Sequence, residues 1–241
     1  MNKFAVFDID GTLYRWQLYH ELVETLANDE LLPTESAQML RDVWNEWRGG
    51  VISFDKYERA VVNVMIENLP KVSIIDFESA CNKVVRKSAH KTHYYTRNLL
   101  TKLKKKGYKI IAITGSQQEL IDRFGERYGF DIVVGAKYER DGDHFTGKTE
   151  VMTIGKKPEI LRKIVKENNL SWGDSYAIGD SDGDASILEL VENPIAFNPS
   201  PGLFERAKKD GWPIVIERKN IAYILGKNSK EELLLKDTIV Y

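Results

Sequence analysis

The chain opens with a continuous apolar run, KFAVFD from Lys3 to Asp8, which breaks at Gly11 after two carboxylates one residue apart. A short unbroken run closed by a turn signal predicts a buried strand. From Gln17 to about His90 the period changes. Leu18, Leu22 and Leu26 recur every four residues, and a second stretch begins after Thr34, a good N-cap residue, and stops at Gly49–Gly50. A third follows Ser53 with Tyr57, Val61, Val64 and Met65 on one face. A fourth follows Ser73, with Asp76 at capping-box spacing. These stripes predict four helices in a bundle, with no strand among them.

Beyond residue 91 strands and helices alternate. A helix through Leu99, Leu100 and Leu103 ends at Gly107, and YKIIAIT predicts the next strand. A helix near Glu119–Tyr128, the strand DIVVGAKYE, a turn at DGD and the return strand HFTGK follow. A helix from about Pro158 to Asn168, strand YAIGD, a helix near Asp184–Val191, strand PIAFN, a helix near Leu203–Lys209 and strand PIVIE complete the series. Such alternation predicts a parallel sheet covered on both faces. The expected fold is α/β: a Rossmann-like parallel core over residues 1–14 and 91–241 with helices on both faces, interrupted after its first strand by an all-helical cap over residues 15–90. No role is assigned to the tail 227–241.

Composition narrows the class. The 35 basic and 36 acidic residues leave a net charge of −1, which argues against a dedicated nucleic-acid binder. The single cysteine, Cys81, precludes an intramolecular disulfide, fits a reducing compartment and reads as a small buried apolar residue. No apolar run reaches membrane-spanning length and no charged leader precedes an apolar stretch, so the expectation is a cytoplasmic protein without membrane partners.

In open parallel sheets ligands sit at the C-terminal strand ends. The first strand ends in Asp8, Asp10 and Gly11, the strand KIIAI in Thr114–Gly115–Ser116, and the strand YAI in GDSDGD with Asp180, Asp182 and Asp184. Between the last two, Lys157 precedes Pro158 at a helix start, where an ammonium beside free N–H groups makes an anion site. Carboxylates, a lysine and a hydroxyl at one sheet edge fit a hard divalent cation such as Mg²⁺ together with a phosphate. Asp8 can then serve as ligand and nucleophile, since a carboxylate can form an acyl-phosphate. Asp10 lies on the same side of the strand and is placed for acid–base catalysis on the leaving group. Gly11 permits a tight turn, its N–H expected to face the phosphate.

DIDGT, the strand-terminal TGS, the lysine before a helix, and GDSDGD resemble, in order, the four motifs of the haloacid dehalogenase superfamily. A helical insert straight after the first motif, and the closing NPSPGLFERAKKDGWPI, are similar to the subgroup that includes phosphoserine phosphatase. The resemblance implies Asp8 as nucleophile and Asp10 as general acid and base. It implies Mg²⁺ held by the Asp8 side chain, the Asp10 carbonyl and Asp180, with Asp184 close by. It places Thr114, Lys157 and the backbone of Gly115 on the phosphoryl oxygens, and a small phosphorylated metabolite as substrate. Two positions depart from the pattern. Gln17 stands where those phosphatases carry a glutamate for the substrate amino group, and Gly183 where many carry asparagine. The arginine that binds substrate carboxylate there is matched to Arg59, within SFDKYER.

The same residues bear on other classes of protein. A receiver-type signalling domain shares acids, a hydroxyl and a lysine at strand ends, but has neither a helical insert after strand one nor a second acid site. A non-enzymatic module is opposed by intact Asp8, Asp10, Lys157 and Asp180, and a dehalogenase has no use for the second aspartate. A phosphotransferase or mutase shares the phospho-aspartate step and stays open. GDSDGD fails as an EF-hand loop because its sixth and twelfth positions are Ala185 and Val191. The lysines of KLKKKGYK suit a helix C-terminus, His90 and His93 lack matching ligand partners, and the insert's tryptophans read chiefly as packing. The stretch from Tyr14 to His90 holds 9 basic and 12 acidic residues, which argues against polyanionic substrates. No oligomeric state follows.

Overall fold

The computed structural model describes residues 2–241. Its single mixed sheet has nine strands: β1 (Asn2–Phe7), β2 (Lys109–Gln117), β3 (Ile132–Asp141), β4 (His144–Val151), β5 (Leu170–Gly179), β6 (Asn193–Phe197), β7 (Ile214–Arg218), β8 (Ile221–Lys227) and β9 (Leu233–Val240). They lie in the order β4-β3-β2-β1-β5-β6-β7-β8-β9. From β3 to β7 all pairs are parallel, with β4 antiparallel at one end and β8–β9 antiparallel at the other. β1 sits centrally: the chain steps outward on one side of it, then returns to its other side at β5. That reversal opens a crevice at the C-terminal end of β1.

The unbroken apolar run of β1 follows from burial on both faces. Phe4 and Val6 enter one core with Leu161, Ile164 and Val165 of helix α7 (Lys157–Glu167) and Leu203 of α9 (Pro201–Asp210). Ala5 and Phe7 enter the other, with Leu100 and Leu103 of α5 (Tyr94–Lys105) and Leu120 and Phe124 of α6 (Gln118–Tyr128). This second core is continuous with that of four further helices, α1 (Leu18–Asn28), α2 (Thr34–Arg48), α3 (Phe54–Asn68) and α4 (Ile74–Ser88). The helical segment is therefore packed onto one face of the sheet.

Local signals set most boundaries, with corrections. Ser53 caps α3 by accepting from the Lys56 amide at 3.4 Å. Ser73 accepts from the Asp76 amide at 3.1 Å, but the Asp76 carboxylate takes the Ser73 hydroxyl at 2.6 Å instead of the cap's backbone N–H. Thr34 is not a cap: Pro33 holds that position, extended, and Thr34 begins the helix. The helix expected over Asp184–Val191 shrinks to a 3₁₀ turn, Asp182–Asp184, and one α turn, α8 (Ala185–Leu188). The unassigned tail builds β9, which pairs with the preceding β8 in a register that sets Val240 opposite Ile221. Their apolar residues escape a period reading because β9 is an edge strand with Leu234 and Leu235 exposed.

The helical segment leaves and rejoins the sheet side by side. The His93 amide donates to the Leu13 carbonyl, the Arg15 amide to that of Lys91, and the Thr96 hydroxyl to that of Thr12. Glu217, buried at the end of β7, binds both crossings. Its carboxylate pairs with Arg15 at 2.8 Å and His93 at 3.1 Å and accepts from the Tyr94 and Tyr95 amides. It thereby caps α5, whose own N-cap residue His93 provides no side-chain bond. Burial would raise its pKa, but the His93 bond and the Tyr95 and Tyr94 amides overcome this and pull it down to about 2.

A carboxylate depressed below its unfolded value adds stability above the unfolded pKa that is lost as pH falls through the folded one. Glu217→Gln should cost about 1–3 kcal/mol at neutral pH. The gap between wild type and variant should narrow between pH 5 and 2. Urea unfolding at several pH values checks this, and a pH-independent gap would contradict it.

Candidate active site

Four sheet-end segments converge in the crevice. Lys157, the first residue of α7, is buried and donates to Asp8 at 2.7 Å and Asp184 at 2.6 Å. Its neighbour Lys156 is exposed. One oxygen each of Asp8, Asp180 and Asp184 lies within 4.8 Å of the others, among the described residues. Thr12 steadies Asp180, its hydroxyl donating to the carboxylate at 2.7 Å. Asp184 is fully buried, and its second oxygen accepts from the Ser181 amide at 3.0 Å, the Ser181 hydroxyl at 2.8 Å and the Asp180 amide at 3.2 Å. Asp184 therefore organises the loop as well as facing the lysine. Asp182 lies outside, exposed and bound to the Ser200 hydroxyl at 2.7 Å.

Two buried carboxylates and the half-buried Asp180 beside one ammonium leave an excess of negative charge. Burial drives the Asp8 pKa well above its ordinary value; Lys157 opposes this, while Asp184, Asp180 and Asp10 add to it. Burial, then the Asp184 charge, pushes Asp180 up to about 7 despite the Thr12 bond. Burial alone would lower the Lys157 pKa, but Asp184 and Asp8 more than reverse it. The donor set is all oxygen, close-spaced and short of positive charge, which fits a hard cation such as Mg²⁺.

Asp10 stands apart from that cluster. One of its oxygens accepts from the Leu18 amide at 2.6 Å, the other from the hydroxyls of Thr114 at 3.1 Å and Ser116 at 2.5 Å. Burial raises its pKa, and the bonds from Ser116, Leu18 and Thr114 hold the rise in check. Thr114–Ser116 reaches Asp10 because β2 bulges here: Ile113 pairs with Val134 and Gln117 with Ala136, leaving two extra residues out of the ladder. Ser116 is the contact that the sequence reading left unassigned, although TGS contained it. Gly115 lies in the bulge beneath Ile154.

One expectation differs from the structure. The Gly11 N–H does not face the crevice, because it donates to the Trp16 carbonyl at 2.9 Å as the chain turns toward α1. Glycine is needed here for another reason: φ is +80° and a Cβ would lie 2.2 Å from an Asp180 oxygen. Arg59 is exposed on α3 and forms no ion pair among the described residues, and its neighbour Glu58 is half-buried, its pKa raised by burial, then by Asp55 and Asp10. Gln17 is the N-cap residue of α1, with no side-chain capping bond.

A family model described as haloacid dehalogenase-like hydrolase matches residues 5–189. The chain belongs to the haloacid dehalogenase-like hydrolases. It is 26% identical over 227 residues to the phosphoserine phosphatase of Methanocaldococcus jannaschii, covering 93% of this chain and 96% of that protein. It is 22% identical over 224 residues to the histidinol-phosphatase of Neisseria meningitidis serogroup C, covering 89% and 99%. In fold it is similar to a protein of unknown function from Bordetella pertussis Tohama I, with a TM-score of 0.73 at 22% identity over 90% of this chain and 99% of that one. A structure of a phospho-aspartyl intermediate analogue of phosphoserine phosphatase matches with a TM-score of 0.61 at 23% identity, covering 90% and 94%. No helix among the described residues is long and apolar enough to cross a membrane.

The two glycines of the motifs should behave oppositely. Gly11→Ala, strained by its positive φ and pressed on Asp180, should lower unfolding free energy by about 1–3 kcal/mol. A Cβ at Gly183 meets nothing nearer than the Ser181 hydroxyl at 3.6 Å. Gly183→Ala should stay within about 0.5 kcal/mol of wild type. Equal losses in denaturant titrations would contradict this account of the loop.

Proposed function

We propose that the protein is a Mg²⁺-dependent phosphatase of small phosphate monoesters, working through a phospho-aspartate on Asp8. The observation that carries the reading is the division of labour between two aspartates on one strand end. Asp8 lies among carboxylates and against Lys157. Asp10 is held away from them by an amide and two hydroxyls. The relatives support the class: their names denote phosphatases of two different leaving groups, so the shared element is the phosphoryl half.

Asp8 attacks phosphorus in line as Asp10 passes a proton to the departing oxygen. Asp10 then takes a proton from water, which opens the acyl-phosphate. Burial raises its pKa, the direction that favours a proton donor. Lys157 keeps Asp8 aligned and offsets charge on the phosphoryl oxygens, and the bulged Thr114–Ser116 backbone and hydroxyls lie where those oxygens arrive. Mg²⁺, held by Asp8, the Asp10 carbonyl and Asp180 with Asp184 behind them, would neutralise the excess carboxylate charge and that of the phosphate. Residues 15–90 serve as the cap that covers the crevice and sets selectivity, on the core of residues 1–14 and 91–241.

Hydrolysis of an aryl phosphate should vanish in chelator and return with Mg²⁺, and undiminished turnover in chelator would overturn the reading. Asp180→Asn should weaken the response to Mg²⁺ far more than Asp182→Asn, measured by titrating the metal against rate.

Asp8→Asn should abolish turnover. Asp10→Asn should slow it about 10²- to 10⁴-fold, the usual worth of acid–base help. With an activated leaving group Asp10→Asn should accumulate one phosphate on residue 8, read by rapid-quench mass spectrometry. A phosphate mapped to any other residue would refute the assignment.

A further inference from the structure

The helical segment contains a space that its own side chains do not fill. Helix α2 is 15 residues long, yet only Ala37 among its residues is buried. Against it lies a cavity of about 300 Å³ whose lining residues all belong to α1, α2 and α3. Asp10, Gln17 and the residues of the sheet-end crevice are not among them. This cavity is therefore separate from the site described above. Val23, Leu40 and Val61 give it apolar walls, and His20, Trp44 and Tyr57 give it aromatic ones.

The rings are braced. His20 meets Tyr57 edge-on with 5.1 Å between centroids, and Trp44 meets it at 5.7 Å. Trp47 stacks on Tyr57 at 5.2 Å with the planes 12° apart, and so supports it. Rings held in this way keep their orientation and offer faces and edges to a further ring.

One polar group in this wall is unmet. His20 is 4% exposed, and its Nδ1 has no hydrogen-bond partner among the described residues. Burial holds the imidazole pKa down to about 4, so the ring is neutral near pH 7 and carries one lone pair and one N–H. The exposed Glu24 and Arg41 also line the cavity, from α1 and α2. One charge of each sign gives no net charge that would select an ion. Aromatic and apolar walls with one neutral imidazole suit an uncharged ring that brings a single N–H.

The cavity also bears on Asp10. His20 stands two residues after Leu18, whose amide donates to the Asp10 carboxylate at 2.6 Å. A molecule held between α1 and the other two helices acts on the segment that fixes that carboxylate.

We infer that the cavity between α1, α2 and α3 is an effector site for a neutral heteroaromatic molecule whose N–H is bound by His20. Its volume of about 300 Å³ lies at the lower end of the range of ligand sites, about 300–1,000 Å³, which limits the occupant to a small fused ring system. Binding at this site stands independently of the phosphatase reading. Only the effect on turnover rests on that reading.

The probes are indole and benzofuran, which share a shape and differ in the N–H. Isothermal titration calorimetry on the full chain should show saturable binding of indole, with benzofuran at least about tenfold weaker, equivalent to about 1.4 kcal/mol. His20→Phe should erase that difference. Ala27→Phe, which sets a ring among the lining residues, should abolish binding of both probes. Ala37→Leu, a smaller filling of the same space, should weaken both and serves if Ala27→Phe does not fold. With Mg²⁺ and p-nitrophenyl phosphate, saturating indole should change kcat at least about twofold and leave KM in place. A raised KM at constant kcat would put indole in the crevice and overturn the site. The absence of saturable binding, equal affinities for the two probes, or binding that survives the filling variants overturns it as well. Unaltered kcat at saturation overturns its role as an effector. Absence of aryl phosphate turnover overturns the phosphatase reading, while the calorimetry still decides the site.

Discussion

One ammonium faces more carboxylates than it can neutralise, and the structure around the crevice is arranged to hold that imbalance. Lys157 binds two of them, and removing one partner of such a buried pair typically costs about 3–5 kcal/mol. The position of α7 is thus tied to the strand ends of β1 and β5 through a single side chain. Asp184 uses its other oxygen to hold the Ser181 and Asp180 backbone just before the one-turn α8. The remaining charge deficit sits at Asp8 and Asp180, the two acids whose pKa values burial raises most plainly. A site built this way is unfavourable when empty of cations and therefore selective for them.

The same chain region solves a second problem, that of attaching a helical segment to a strand end without losing the alignment of either. The two crossings hydrogen-bond to each other at Leu13, Arg15, Lys91 and His93, and Glu217 ties both to β7. Asp10 takes part too, because its carboxylate receives the first amide of α1. The acid proposed for proton transfer is thereby fixed from the helical side and from the bulge of β2 at once. Movement of α1 would be felt directly at Asp10.

Much of this was legible in the residues. The alternation of apolar runs with amphipathic periods identified β1 to β7 and the helices between them, since both signals arise from burial of one or both faces. The polar endings DIDGT, TGS and GDSDGD, with Lys157 before Pro158, identified the converging acids, because polar residues at the ends of buried strands need a reason to be there. Two things were not legible. Thr34 and Pro33 compete for one cap position, and proline's extended backbone won. The strands β8 and β9 lie at the sheet edge, where a half-exposed strand carries no clear alternation.

What the sequence alone determined was therefore the class of chemistry: an α/β sheet with acids, hydroxyls and one lysine at its C-terminal edge, interrupted by helices after the first strand. Local spacing and hydrophobic period carry that information because they act within a few residues. Tertiary structure decided which donor meets which acceptor. It turned the Gly11 amide to Trp16 and turned Ser116 to Asp10. It brought Arg15, His93 and the first amides of α5 onto Glu217. Those outcomes depend on contacts between segments far apart in the chain, where a fraction of a helical turn or one bulge changes what a side chain meets.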